Sequence, residues 1–224
     1  MDQERAAAEG RLTGVDLSAG AAIAVCMAAI CFALSKGNSL LVTFVPGVVF
    51  AYGALILMWH NGRPLPAAQR FLPLYFVALS LQFLHFAEEF TTGFAEKFPV
   101  LYGGSAYSHT MFVQINMVSY ALFVLSALAV FVLRVRRLAM PAIFFVLYGV
   151  MGNAIAHPYW AVLRRGYFPG LFTALLFWAL GPWLVYILLG SKKQTAILIG
   201  LYVAVLVTTL SIGPVIPVMY VGGR

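Results

Sequence analysis

Charge is what this sequence has least of: Asp, Glu, Lys and Arg together make up 9 % of its 224 residues. An ordinary soluble domain carries about a quarter, so a water-exposed globular surface is excluded. After Asp16 the chain holds only three acidic residues, Glu88, Glu89 and Glu96. Two cysteines, Cys26 and Cys31, exclude a disulfide scaffold. Both fall in one apolar run, and five residues apart on a helix they point about 140° away from each other. No HExxH pattern is present, no second ExxH of the kind a di-iron bundle needs, and no internal repeat. The polar–apolar alternation of membrane barrel strands is missing as well. The opening MDQERAAAEGRLTGVDLSAG has no basic stretch leading straight into an apolar core. A cleaved signal peptide is therefore not expected, and the first apolar run is expected to be retained.

What is present is apolar: 62 % of the residues are hydrophobic, and the mean hydropathy is +0.93. Seven runs are long enough to cross a bilayer, which takes roughly 17–25 residues; they lie near 18–35, 40–58, 71–92, 108–133, 138–162, 170–189 and 195–219. Backbone in lipid must satisfy its own hydrogen bonds, so these runs are predicted to be helices. The fold class is all-α, a polytopic membrane helical bundle of about seven transmembrane helices. Residues 1–224 form a single transmembrane domain, with 1–17 as a cytoplasmic tail. Pro73 and Pro141 fall in first turns, whereas Pro46, Pro182, Pro214 and Pro217 predict kinks.

The formal charge of +7 comes from short basic clusters between the runs. These read as topology signals, and no nucleic-acid partner is expected. With seven crossings, Arg5, Arg11, Arg63, Arg70, Arg134, Arg136, Arg137, Lys192 and Lys193 share one side. Lys36, Lys97, Arg164, Arg165 and Arg224 share the other. That bias places the N-terminus in the cytoplasm and the C-terminus outside, in the cell's inner (plasma) membrane.

Against this background LHFAEEF, residues 84–90, stands out. On a helix His85, Glu88 and Glu89 share one face, because their spacings are i,i+3 and i,i+4. Asn153 and His157 in GNAIAHPYW share a face in the same way. Both clusters lie about 21–28 Å from the cytoplasmic start of their helices, hence level with each other in the outer leaflet. His109, Gln114 and Asn116 enter that layer from the fourth run, Tyr167 and Thr173 from the start of the sixth. Ionisable groups at membrane depth cost several kcal/mol unless paired, so they mark function by default. Ser80, Gln82, Ser119 and Ser126 are read instead as helix-packing residues.

The spacing His-x-x-Glu-Glu resembles the signature of the HXXEE-motif family of small bacterial integral membrane proteins. The later stretch NAIAHPYWAVLRRGYFPGLFTA is similar to that family's second half at Asn153, His157, Tyr167, Pro169, Gly170 and Thr173. The likeness covers roughly residues 72–190. The family carries no established activity, so the resemblance implies site residues and no particular reaction.

Three chemistries stay open. The first is a metal-dependent intramembrane hydrolase acting on a lipid or other hydrophobic substrate. One divalent, zinc-like ion would be held by His85, His157 and Glu89, with His109 a fourth candidate, and the other glutamate would serve as general base. No organic cofactor is indicated. The second is metal-free acid–base isomerisation or cyclisation of an isoprenoid or lipid by Glu88 and Glu89, with His85 and Asn153 assisting. The third is a proton-coupled carrier, disfavoured by the lack of repeat symmetry. Asn116, Tyr167, Thr173, Arg164 and Arg165 are the candidate substrate-binding residues; the two arginines suit an anionic lipid group. Membrane lipids or a hydrophobic small molecule are the expected partners.

Overall fold

The computed structural model describes residues 10–214; Arg5, Pro217 and Arg224 lie outside them. Among the described residues there is no β-strand. Eight helices follow one another: α1 Gly14–Leu34, α2 Ser39–His60, α3 Ala68–Thr92, the short α4 Phe94–Val100, and α5 His109–Phe131. Next come α6 Arg136–Leu163, α7 Leu171–Leu189 and α8 Lys192–Ile212. Seven of them are long and apolar enough to cross a membrane, which is the build of a multi-pass membrane protein. α1 starts earlier than its apolar run because Thr13 and Asp16 form a reciprocal capping box.

The links sort to two ends as seven crossings require. At one end Gly10 pairs with Leu65, Asp16 meets Arg136, and Arg63 donates to the carbonyl oxygens of Ile187 and Leu188. At the other, Asn38 bonds to the Tyr102 carbonyl and Lys36 to the Tyr107 hydroxyl.

α6 is the centre of the bundle and touches each of the other six long helices. It is not uniform. An α-helical start, Ala139–Phe144, passes into a π-helical stretch, Phe145–Gly152, before Asn153–Leu163 returns to α. Wider π turns are typical of functional sites. Here the stretch ends at the residue where the polar site begins.

Prolines inside the helices strip a carbonyl four residues back of its usual partner, and neighbouring helices resupply it. Pro46 frees the Val42 carbonyl, which accepts from Thr209 Oγ1 at 2.9 Å. Pro158 frees the Ala154 carbonyl, which accepts from Trp178 Nε1 at 2.8 Å. At both positions the freed carbonyl becomes a helix–helix contact. Pro214 lies beyond the end of α8 and bends nothing within it.

The segment between α3 and α5 folds into the short α4, entered through Gly93 in the left-handed region (φ 82). Phe94 and Phe98, one helical turn apart, turn inward and stack at 4.7 Å. Outside, His109 pairs with Glu96 at 2.7 Å, and that hydrogen bond holds the Glu96 carboxyl below its usual range. A lowered carboxyl contributes stability that is present above the ordinary glutamate value and lost as pH falls through the lowered one. Hydrogen-exchange protection of residues 94–108 should therefore hold from neutral pH down to the ordinary glutamate range and drop below it. Glu96→Gln should abolish that acid step; an unchanged step would show that this pair does not clasp α4 to α5.

Candidate metal centre

His85 and Glu89 project from α3 toward α6, where His157 meets them. His85 and His157 are fully buried, and their rings stand edge-on at 4.6 Å. Glu89 Oε1 lies 3.5 Å from His85 Nε2 and 3.4 Å from His157 Nε2. One ligand-type atom from each of the three residues falls within 4.8 Å of the others.

The other ring nitrogens are already committed. His157 Nδ1 stands 2.7 Å from the Pro169 carbonyl oxygen, an acceptor only, so Nδ1 carries the hydrogen and Nε2 is left with a lone pair. His85 Nδ1 stands 2.8 Å from Thr173 Oγ1. That hydroxyl donates its one hydrogen to Glu88 Oε2 at 2.5 Å, so His85 Nδ1 must donate to it. His85 Nε2 therefore also presents a lone pair. Neither Nε2 has a hydrogen-bond partner. With both imidazoles neutral, two lone pairs and a carboxylate oxygen converge with no donor among them, a geometry that suits a cation.

Glu88 faces the other way. Its carboxylate accepts from the backbone N–H of Phe172 and Thr173, from Thr173 Oγ1 and from the Tyr167 hydroxyl. α7 begins after Gly170, which has no side chain to cap it, so Glu88 caps it from α3, where the helix dipole favours negative charge. Burial and the nearby Glu88 carboxylate raise the Tyr167 phenol, which keeps it a donor. The two adjacent carboxylates of the motif thus do different work. Glu89 joins the cluster, and Glu88 caps α7 and, through Thr173, orients His85.

Not every sequence candidate joins the cluster. Glu88 points away from Glu89, and its carboxylate accepts four hydrogen bonds from α7 and the loop before it. His109 is exposed, paired with Glu96, and not part of the cluster. Thr173 and Tyr167 hold Glu88 and do not line the adjoining cavity. Arg164 and Arg165 sit exposed past the last turn of α6, also away from the cavity. Of the candidate substrate-binding residues, Asn116 alone lines it. Gln114 is exposed.

That cavity lies between α2, α3, α4, α5 and α6 and reaches Glu89 and Asn153. Trp160 and Phe94, which line it, pack against His157, with ring distances of 5.0 and 5.4 Å. Gln82, read from sequence as a packing residue, lines it and accepts from Asn153 Nδ2. Its spacing was the available signal: 82, 85 and 89 fall on one helical face.

The family described as "Protein of unknown function with HXXEE motif" matches residues 76–187, half of the chain, and this span holds all three converging side chains. The chain belongs to the HXXEE-motif family. No curated protein and no solved structure matches it. In structural terms the motif's histidine and second glutamate are two corners of the cluster, His157 being the third. Its first glutamate is the cap.

If the cluster holds a metal ion, the cap can be tested through it. Thr173→Val removes both the acceptor for His85 Nδ1 and the donor to Glu88. Loss of such an orienting partner typically costs 10–100-fold in metal affinity. Competition with a graded series of chelators should show a weakening of about that size for Thr173→Val. Unchanged competition would mean that His85 is oriented by packing alone.

Proposed function

We propose that this protein is an intramembrane metal-dependent hydrolase of an ester- or amide-linked hydrophobic substrate. The observation that carries this reading is the convergence of His85 Nε2, His157 Nε2 and Glu89 Oε1 with no donor among them. Two donors each 2.0–2.1 Å from a tetrahedral ion stand roughly 3.3–3.4 Å apart, close to the 3.4 and 3.5 Å separations here. Two histidines and one carboxylate, with a position left for water, is a catalytic zinc donor set. Such an ion would polarise the carbonyl to be cut and acidify the attacking water.

The chain's own groups supply the rest. Pro169 and Thr173 fix both histidines in the ligating tautomer. Glu89 is the one carboxylate bordering the cavity among its described lining residues. As water oxygen adds to the carbonyl carbon, the bond to the leaving oxygen or nitrogen breaks and the water proton ends on that leaving atom. Phe94, Trp160 and the surrounding helices keep bulk water out.

Metal analysis of purified protein, before and after chelation, tests this together with turnover. About one zinc-type ion per chain and chelator-sensitive release of alcohol from a lipid ester are expected. A metal-free protein would sink the reading. It would favour a second one, in which a proton shared among the three acceptors serves acid–base chemistry beside the aromatic cavity wall.

The basic-residue bias supports a cytoplasmic N-terminus in the plasma membrane and a site in the outer leaflet. In a Cys26→Ser, Cys31→Ser background, Arg165→Cys should react with an impermeant maleimide on intact cells. Reaction only after permeabilisation would reverse the orientation.

A further inference from the structure

The cavity that reaches Glu89 is small, about 60 Å³, and its polar side chains are bonded to one another in a single file. Asn153 Nδ2 donates to Gln82 Oε1 (3.3 Å), Gln82 Nε2 to the Tyr120 hydroxyl (3.1 Å), and that hydroxyl to Asn116 Oδ1 (3.0 Å). The file is bonded along its length without being saturated. An amide nitrogen carries two hydrogens. Gln82 Nε2 gives one to Tyr120, Asn116 Nδ2 gives one to the Phe112 carbonyl at 2.9 Å, and each keeps its second. Ser119 Oγ spends its hydrogen on the Ile115 carbonyl at 2.7 Å and keeps its acceptor capacity. Glu89 adds a carboxylate, and the rest of the lining is largely aromatic, Phe44, Phe94, Phe123 and Trp160 included.

We infer that this cavity is a water chamber, holding a short chain of waters that ends at Glu89. One water needs about 10–15 Å³ of such space, so there is room for about four. A lipid chain does not fit. Buried waters make about three hydrogen bonds each. In a chain they bond first to one another. The two spare amide hydrogens, Ser119 Oγ, the Tyr120 oxygen and the Glu89 carboxylate supply the remaining partners. Depth points to storage and not to conduction. Gln82 lies seven residues before Glu89 on α3, about 10 Å further from the end of the helix that carries the cluster. One turn beyond Tyr120, Phe123 packs on Phe144 and Phe145 with ring distances of 6.1 and 5.2 Å, so the file stops against aromatic packing. The bilayer sets the need for such a store. Its hydrocarbon offers no water, whereas hydrolysis consumes one molecule in each turnover. That use of the water rests on the hydrolase reading; the chamber itself does not.

Radiolytic hydroxyl-radical footprinting of the full-length protein in nanodiscs tests this. Radicals formed from a bound water oxidise the side chain beside it, even where bulk solvent does not reach. Tyr120 and Tyr75 are the matched pair: both are buried tyrosines, 4 % and 0 % exposed, and of the two only Tyr120 lines the cavity. Tyr120 should be oxidised several-fold faster than Tyr75, and Phe123 several-fold faster than the equally enclosed Phe145. Gln82→Leu combined with Asn116→Leu removes both spare amide hydrogens at similar side-chain volume and should bring Tyr120 down to the Tyr75 rate. The wild-type comparison stands by itself if that variant does not fold. Equal rates for Tyr120 and Tyr75 in the wild type, or an undiminished Tyr120 rate in the folded double variant, overturn the inference. Footprinting needs neither metal nor turnover. Fast oxidation of Tyr120 in a chain that purifies without metal would therefore sink the hydrolase reading and leave the chamber standing. A protected Tyr120 in metal-loaded protein would do the reverse.

Discussion

If the cluster holds the proposed ion, His157→Ala should yield folded protein without metal, and so should His85→Ala and Glu89→Ala, whereas His109→Ala should keep it. Structural zinc sites bind with about 10–16 kcal/mol over four ligands, or about 3 kcal/mol for each. Losing one ligand of three is thus worth on the order of a hundredfold in affinity or more. The contrast with His109 is the informative part. All four histidines are alike as letters in the sequence, but His109 is exposed and bound to Glu96, while the cluster's two Nε2 atoms are buried without a partner. Inductively coupled plasma mass spectrometry on monodisperse protein reads the outcome directly. Full metal occupancy in His157→Ala, or its loss in His109→Ala, would place the ion elsewhere.

The second large effect is expected at a residue with no chemistry of its own. Gly170 sits against both histidines in the left-handed region, at φ 85. A Cβ there would stand 2.6 Å from His157 Cε1, 2.7 Å from His157 Nδ1 and 2.8 Å from His85 Cε1. These are stiff, buried rings that cannot swing aside. The left-handed backbone costs a non-glycine residue about 1–2 kcal/mol, and overpacking a close-packed interior adds about 1–3 kcal/mol. Gly170→Ala should therefore destabilise the protein by roughly 2–5 kcal/mol. It should also loosen the His157–Pro169 bond that fixes the ligating tautomer. A lowered midpoint in thermal unfolding together with weakened metal retention is expected. Wild-type melting and wild-type metal content would show that the rings have more room than this packing allows. Gly166, four residues earlier and with nothing near its Cβ position, is the matching control.

The helices were legible because a bilayer imposes one strong rule on the backbone. Runs of about twenty apolar residues must close their own hydrogen bonds, so seven such runs become seven spans whatever their order in space. The basic clusters between them, Arg134 to Arg137 or Lys192 and Lys193, are local signals too. The HXXEE spacing likewise put His85 and Glu89 on one face before any packing was known. The sequence alone also paired Asn153 with His157 and put both clusters at the same depth.

Tertiary structure decided everything that depends on which helix faces which. Nothing in residues 84–90 says that Glu89 turns to α6 while Glu88 turns to the start of α7. That division arises because α7 begins at a glycine and its open N–H groups fall within reach of α3. The exclusion of His109 depends on α4, a seven-residue helix too short to announce itself by periodicity, which brings Glu96 to it. The π-helical stretch before Asn153 is likewise beyond reading by spacing, since a straight α-helix was assumed in counting the depth of His157. The roles of Pro169 and Gly170 rest on a carbonyl and a missing Cβ. Backbone atoms carry no letter in a sequence, so only the folded arrangement reveals that they fix the two histidines' orientation.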